Sequence, residues 1–563
     1  LEIKILLQLQ ELQKAATGFE PYQLELIPKA QLTLAAQYQP TLFSRIELSQ
    51  FFGIELDDFA HEIAILSLWL AQHQMNQKFK EVLGESTPTL PLQAGGNIVH
   101  GNATRVDWEK VCPKKEYDEI YILGNPPYLG GKGQSKEQKA DMDLVFKGFK
   151  NYKELDYISC WFYLGSNFIC SNLNYHFAFV TTSSINQGAQ VGQLWPIIFS
   201  KNLEIRFAHL PFLWSNNAKS NAGVSVSIIG ISNKSNQNKL LFKDNLSLSV
   251  NNINSYLTSG NNIVINQSLK NISNLPVMIT GNSPYDNNNL RFDSNTKNEL
   301  LIKFPKSSHL LKRVIGADEL LNDIEKWCVW ISDEDLELAM SIEPINERIE
   351  NTRKFRTTGG DVARGLANKP HKFRYTHSAK NHQIIIPIVS SERREYIPIG
   401  FTNNESVVLS SAAAIYDPEL FVFSVISSKI HNIWLRISAG RLDSRIRYLS
   451  ALCYNTFPFP KISEAQKQEL TQCVFRILEE RENHSEKTLA QLYDPEKMPQ
   501  GLRETHRLND LAVERCYRSK PFETDEERLE YLFKLYEQMI AEEKQKGTLF
   551  QEEKKAKKTR KTK

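Results

Sequence analysis

The apolar run Tyr121-Ile122-Leu123 leads straight into Gly124-Asn125-Pro126-Pro127-Tyr128, and few folds have a use for such a junction. An apolar strand that stops in Asn-Pro-Pro-aromatic presents hydrogen-bond acceptors and a ring at the carboxyl edge of a sheet, where open α/β folds take up ligands. Both prolines restrict φ and donate no N–H, so the turn is stiff and its carbonyls stay free to accept. A tight loop with an exposed aromatic is the alternative reading, because Pro-rich turns often serve only to reverse the chain.

The flanking pattern places that turn in an α/β architecture. Residues 50–55 read as a strand ending in the carboxylate of Glu55, with Asp57-Asp58 as helix-start residues and Phe59, Ile63, Leu66 and Leu70 at helical spacing behind them. A further strand, Asn97 to His100, runs into Gly101-Asn102, and Glu119 to Leu123 delivers the proline turn. Three successive strand ends are therefore expected to offer Glu55, Asn102 and Asn125 on one sheet edge. A carboxylate at such a strand end is where nucleotide-binding sheets hold ribose hydroxyls; taken alone, Glu55 reads equally well as a solvated helix-cap acid. Ile3, Ile5, Leu6, Leu9 and Leu12 predict a helix over 1–16 that looks like the middle of an element and not its start.

Bulk properties narrow the setting. At 563 residues the chain is too long for one core, and two to four domains are expected. The longest apolar stretch, Ile63 to Ala71, is far short of a membrane span, and no signal-peptide pattern opens the chain. Seven cysteines without a CxxC pair argue against a zinc site or a disulfide framework, which points to a reducing cytoplasm. A net charge of only +3 means that any nucleic-acid footprint is local.

The turn suits one chemical problem. An exocyclic amine such as adenine N6 has its lone pair delocalised into the ring and cannot capture a methyl cation until that density returns to nitrogen. Two acceptors on the amine hydrogens do this, and the Asn125 side-chain oxygen with the Pro126 carbonyl would supply them while Tyr128 stacks on the base. The stretches FFGIELDDFAHEIAILSLWLAQHQMN, GNIVHGNATRVDW, YDEIYILGNPPYLGGKGQSKEQKADM, TTSSINQGAQVGQLW, SSERREYIPIGF and YNTFPFP resemble class I S-adenosylmethionine-dependent DNA adenine methyltransferases, and among these the MmeI-like restriction-modification enzymes. The resemblance runs from about residue 1 to about 540. It implies a mostly parallel sheet with helices on both sides, Glu55 on the cofactor ribose, Asn102 at the cofactor adenine, and Asn125, Pro126, Pro127 and Tyr128 around a flipped base. It also implies a glycine-rich cofactor loop just before Leu1, with a nuclease and helical spacer upstream in the same polypeptide. No copy of that loop occurs elsewhere, so the sheet is expected to be truncated at its first strand.

Beyond the turn, Trp161, Phe162, Tyr163 and Phe168 predict a buried helix. Residues 177–180 and 224–229 read as strands that complete the sheet, and Phe212-Leu213-Trp214 with 215–218 resembles a late motif of the family. Residues 232–265 turn Asn-, Ser- and Lys-rich, as a surface connection or domain boundary would. From 266 to 460 the pattern is irregular, with short strands and little helix periodicity, and the basic residues cluster: Arg353, Lys354, Arg356, Arg364, Lys369, His371, Lys372, Phe373, Arg374 and Tyr375; then Glu392, Arg393, Arg394, Glu395 and Tyr396; then Arg436, Arg441, Arg445 and Arg447. Cations interleaved with aromatics suit phosphate contact and base-edge reading, with a solvated face as the alternative. Lys372, Arg374, Arg393 and Arg394 are the expected DNA contacts. Helices are predicted over 463–482, 508–517 and 524–543, followed by a disordered lysine-rich tail.

The expected architecture is thus a Rossmann-like catalytic domain over 1–250, an α+β target-recognition domain over 251–460 and a helical C-terminal domain over 461–563. The expected activity is metal-free methylation of adenine N6 in double-stranded DNA with S-adenosylmethionine. The alternatives are an amino-methyltransferase acting on RNA or protein glutamine, and a catalytically inactive DNA-binding remnant.

Overall fold

The structure, a computed structural model, describes residues 46–83, 96–214, 224–244, 246–442 and 445–560 together with 3–5, 7, 8 and 11. The predicted N-terminal helix and residues 215–218 therefore lie largely or wholly outside the described residues. The chain divides into two units, one of residues 1–122, 133–153 and 160–176, the other of 123–132, 154–159 and 177–563.

In the first unit, β1 (Phe52–Glu55) pairs in parallel with β2 (Asn97–His100), Glu55 opposite His100. Helix α1 (Asp58–Leu83) starts where the Asp57 carboxylate accepts the Ala60 N–H at 2.9 Å. Its apolar stripe of Phe59, Ile63, Leu66 and Leu70 is exposed, because nothing among the described residues covers it. Helix α2 (Lys136–Val145) opens with a reciprocal Ser135/Gln138 cap and buries Asp141 and Met142. Helix α3 (Ser159–Ile169) buries Phe162 and Phe168, as its aromatic content predicts.

A six-stranded sheet has the order β3-β4-β6-β5-β7-β8, with β3 (Ile120–Gly124), β4 (Tyr175–Thr182), β5 (Leu203–Trp214), β6 (Val224–Asn233), β7 (Lys239–Lys243) and β8 (Leu246–Val250). Along β4 every second residue is buried, Tyr175, Phe177, Phe179 and Thr181, which is the period-2 signature of a strand with one face in the core. Helix α4 (Ala189–Phe199) buries Trp195, whose indole N–H donates to the Ile185 carbonyl at 2.7 Å. The Asn- and Ser-rich segment after 232 is not merely a surface connection. It forms the β7–β8 hairpin, turned at Asp244 with φ of 52° and anchored by a buried Lys239–Glu204 ion pair at 3.0 Å.

The region 266–460 holds short strands, as its sequence predicts, and they are ordered into sheets. One four-stranded sheet runs β10-β12-β11-β16, from β10 (Arg291–Asp293), β11 (Leu311–Ile315), β12 (Lys326–Val329) and β16 (Ser406–Val408). A second runs β15-β13-β17-β9, from β9 (Ile279–Thr280), β13 (His382–Pro387), β15 (Gly400–Asn403) and β17 (Ala412–Tyr416), with Ile384, Ile385 and Ile386 fully buried. A third joins β14 (Val389–Ser390), β19 (Arg445–Arg447) and β18 (Gly440–Leu442). Among the helices between them are α5 (Glu343–Thr358) and α6 (Lys429–Ser438).

Three C-terminal helices follow: α7 (Glu464–Glu482), α8 (Gln500–Arg515) and α9 (Asp525–Arg560). Helix α8 begins eight residues before the predicted start, because its buried face is built from His506, Asn509 and Asp510 as well as from apolar residues, and a polar buried face hides the helical period. Helix α9 runs on to Arg560, into the lysine-rich stretch whose sequence predicts disorder. Its Phe533 and Tyr536 pack on the buried Trp434 of α6.

Candidate active site

The proline turn leaves β3 at Gly124. Pro126 is buried and Tyr128 half-buried, whereas Asn125 and Pro127 are exposed. The Asn125 amide makes no hydrogen bond to any described residue, so both of its polar atoms are open to a ligand. The turn is held at its far end. The Leu129 N–H donates to Asp156 Oδ1 at 2.8 Å, and the Leu129 carbonyl accepts from the Tyr157 N–H at 3.0 Å.

Asp156 is the residue the sequence reading missed. It is 4% exposed, and burial raises its pKa above the usual carboxylate range against the hydrogen bonds that favour the charged form. Oδ1 also accepts from the Ile158 N–H at 3.3 Å, Oδ2 accepts from the Ser184 hydroxyl at 3.2 Å, and the Asp156 N–H donates to Gln190 Oε1 at 2.9 Å. The only sequence signal was a lone acid before an aromatic run, which is common in surface loops.

Glu55 and Asn102 close the ends of the β1–β2 ladder in the other unit. Glu55 Oε1 accepts the N–H groups of Leu56 at 3.0 Å and Asp57 at 3.4 Å, which holds the carboxylate back over the strand end. Both polar atoms of the Asn102 side chain are bonded: its oxygen accepts from the Thr104 N–H at 2.9 Å and hydroxyl at 2.7 Å, and one hydrogen of its Nδ2 is donated to the buried Asp141 at 3.0 Å. Asp141 also takes the Arg105 Nε–H at 2.7 Å. Asn102 thus braces the loop after β2. The Trp214 side chain lies outside the described residues.

The basic clusters separate into structural and exposed members. Arg356 has no exposed surface and donates to the carbonyls of Tyr285, Leu366, Lys369, Pro284 and Lys372, so it organises a loop and cannot reach a phosphate. Arg436 donates to the carbonyls of Glu392 and Arg394. His371, Phe373 and Tyr396 are buried. Lys372 and His371 both bond Asp333 and hold its carboxyl down to about 2. Arg393 pairs with Glu496 of the C-terminal domain, and Arg394 is half-buried against Ser390. Arg374 differs from these. It is exposed, its guanidinium lies 4.9 Å from the Tyr375 ring centre, Tyr375 stacks on His377, and the guanidinium has no hydrogen-bond or ion-pair partner among the described residues.

Residues 1–243 match the family described as MmeI, DNA-methyltransferase domain, residues 259–461 the MmeI target recognition domain, and residues 462–542 the MmeI C-terminal domain. A protein called DNA methyltransferase A from Bacillus subtilis (strain 168) is 44% identical over 497 residues, 88% of this chain and 56% of its own length. The chain therefore spans little more than half of that relative. The solved structure of the type IIL restriction-modification enzyme MmeI in complex with DNA superposes with a TM-score of 0.78 at 35% identity, over 92% of this chain and 69% of that one. By these three consecutive matches and this shared fold, the chain belongs to the MmeI family of restriction-modification enzymes.

Proposed function

We propose that the protein transfers a methyl group from S-adenosylmethionine to N6 of an adenine in double-stranded DNA. The observation that carries this reading is the Asn125 amide, exposed, unbonded and set on a turn stiffened by a buried proline. An acceptor that has no partner among the described residues can take one from a substrate without first breaking a bond to them. The Asn125 oxygen and the Pro126 carbonyl would hold the two amine hydrogens and draw the lone pair onto nitrogen, with the flipped base against Tyr128. The amine proton leaves after transfer, so no strong base is required at the turn.

The residues at the β1 end fit the cofactor in part. Glu55 keeps its second carboxylate oxygen free of hydrogen bonds to described residues and would accept the ribose hydroxyls, while Asn102 would shape the pocket wall through Thr104 and Asp141. When bound, the cofactor supplies an electrophilic methyl group. Among the described residues no helix is long and apolar enough to cross a membrane.

DNA is favoured over RNA or a protein amide because a target-recognition domain follows the catalytic one and the related MmeI structure is a DNA complex. Incubation of the protein with duplex DNA and methyl-labelled cofactor, followed by nucleoside analysis, tests the assignment. N6-methyladenine that disappears with Asn125→Ala supports it; label in RNA or protein alone refutes it, and no label at all favours the inactive remnant.

A further inference from the structure

Helix α4 begins at Gly188, whose φ of 61° with ψ of −148° is a conformation that side-chain-bearing residues avoid. A Cβ built there would lie 3.0 Å from the Gly440 Cα and 3.1 Å from the Gly440 nitrogen, so the backbone of α4 rests directly on the backbone of β18. β18 pairs with β19, the strand that carries Arg445 and Arg447 on one face and the buried Ile446 on the other. Two residues into α4, Gln190 accepts the Asp156 N–H, and Asp156 accepts the Leu129 N–H one residue beyond Tyr128. Ser184, from the segment before α4, binds the other Asp156 oxygen. A continuous path of backbone contact and hydrogen bonds thus runs from a strand of the recognition domain to the foot of the proline turn.

We propose that Asp156, Gln190 and Gly188 couple the β14-β19-β18 sheet to the Asn125–Tyr128 turn, with Asp156 as the positioning residue. This rests on the function proposed above, and it adds that placement of the recognition sheet sets the placement of the turn. The physical ground is stiffness. The glycine contact leaves no side chain to yield between α4 and β18, and three hydrogen bonds tie Asp156 to Leu129, Ser184 and Gln190. A displacement of the turn by about 1 Å costs on the order of 100-fold in rate, so loss of any link shows in turnover before it shows in binding.

Asp156→Ala in the full chain is expected to lower kcat by on the order of 100-fold, with DNA affinity and KM for the cofactor unchanged and with faster hydrogen exchange at the Leu129 amide. Asp156→Asn keeps an acceptor for that amide and is expected to restore most of the turnover. Gly188→Ala is expected to lower kcat in the same way while DNA affinity holds, and Gln190→Met serves if Asp156→Ala does not fold. The hydrogen-exchange readout needs no catalysis, so it separates this coupling from the methyl-transfer reading: a parent without methyltransferase activity refutes the latter, while unchanged Leu129 exchange in folded Asp156→Ala and Gln190→Met refutes the former. Wild-type kcat in folded Gly188→Ala would overturn the link to β18.

Discussion

The Tyr396 hydroxyl donates to the Asp510 carboxylate at 2.7 Å across 114 residues of sequence, and both side chains are buried. Asp510 also accepts the Lys429 N–H at 2.7 Å, so one carboxylate joins the recognition loop, helix α6 and helix α8. Burial pushes its pKa up to about 7, with the neighbouring Glu514 acting in the same direction and the Tyr396 bond and the Lys429 cation opposing it. The unfolded carboxyl titrates near about 3.9. The folded state therefore holds the proton to a higher pH than the unfolded state, and stability falls as pH rises between about 4 and 7. Asp510→Asn removes that titration. Relative to the parent, the variant is expected to gain stability as pH is raised from about 5 to about 7, by up to about 1.4 kcal/mol per pH unit. Thermal melts across that range measure it, and a constant difference between the two proteins would show that Asp510 does not titrate there.

Arg356 is expected to behave as a core residue despite its charge. Arg356→Met leaves five carbonyls short of a donor, and each buried group without a partner costs about 1–3 kcal/mol. A loss of at least about 3 kcal/mol in urea unfolding is the expected outcome. A variant that melts like the parent but binds DNA poorly would return Arg356 to the DNA interface.

At the turn, Asn125→Ala is expected to reduce methyl transfer by about 100-fold or more, in the range seen when one preorganised polar group at a reacting centre is removed. DNA affinity should hold, because the role proposed for the amide is to steer the amine and not to hold the duplex. Tyr128→Ala should cost less, since stacking contributes about 1–3 kcal/mol per base. Single-turnover kinetics rank the two; the reverse order would make stacking, and not amine steering, the principal role of the turn.

Among the exposed cations the structure predicts an order. Among the described residues the Arg374 guanidinium has no ion-pair partner and lies over Tyr375, whereas Arg393 is paired with Glu496. Arg374→Ala is expected to weaken DNA binding and to flatten its salt dependence by roughly one unit of slope if the contact is to phosphate, or to relax one position of the methylated site if it is to a base. Arg393→Ala should do less, since an exposed ion pair already contributes only about 0–1 kcal/mol to stability and occupies the cation. Affinity titrations at several salt concentrations, with mapping of methylated adenines, compare them. Equal and negligible effects would place recognition on other residues, Arg445 and Arg447 first.

The proline turn, the alternating β4 and the aromatic α3 were legible because each depends on local sterics or on a short period: two prolines stiffen a turn wherever it sits, and a half-buried strand must alternate. Family membership was legible for a related reason, since long motif blocks survive as strings. Tertiary structure alone decided which cations are free. Arg356 and Arg374 lie eighteen residues apart in one basic cluster, yet one is enclosed by carbonyls from residues 284 to 372 and the other is exposed on an aromatic ring. It alone decided the role of Asp156, whose partners Leu129, Ser184 and Gln190 are spread over some sixty residues. A side chain's charge is local to its position, but its burial and its partners are set by segments distant in sequence, and no window along the chain contains them.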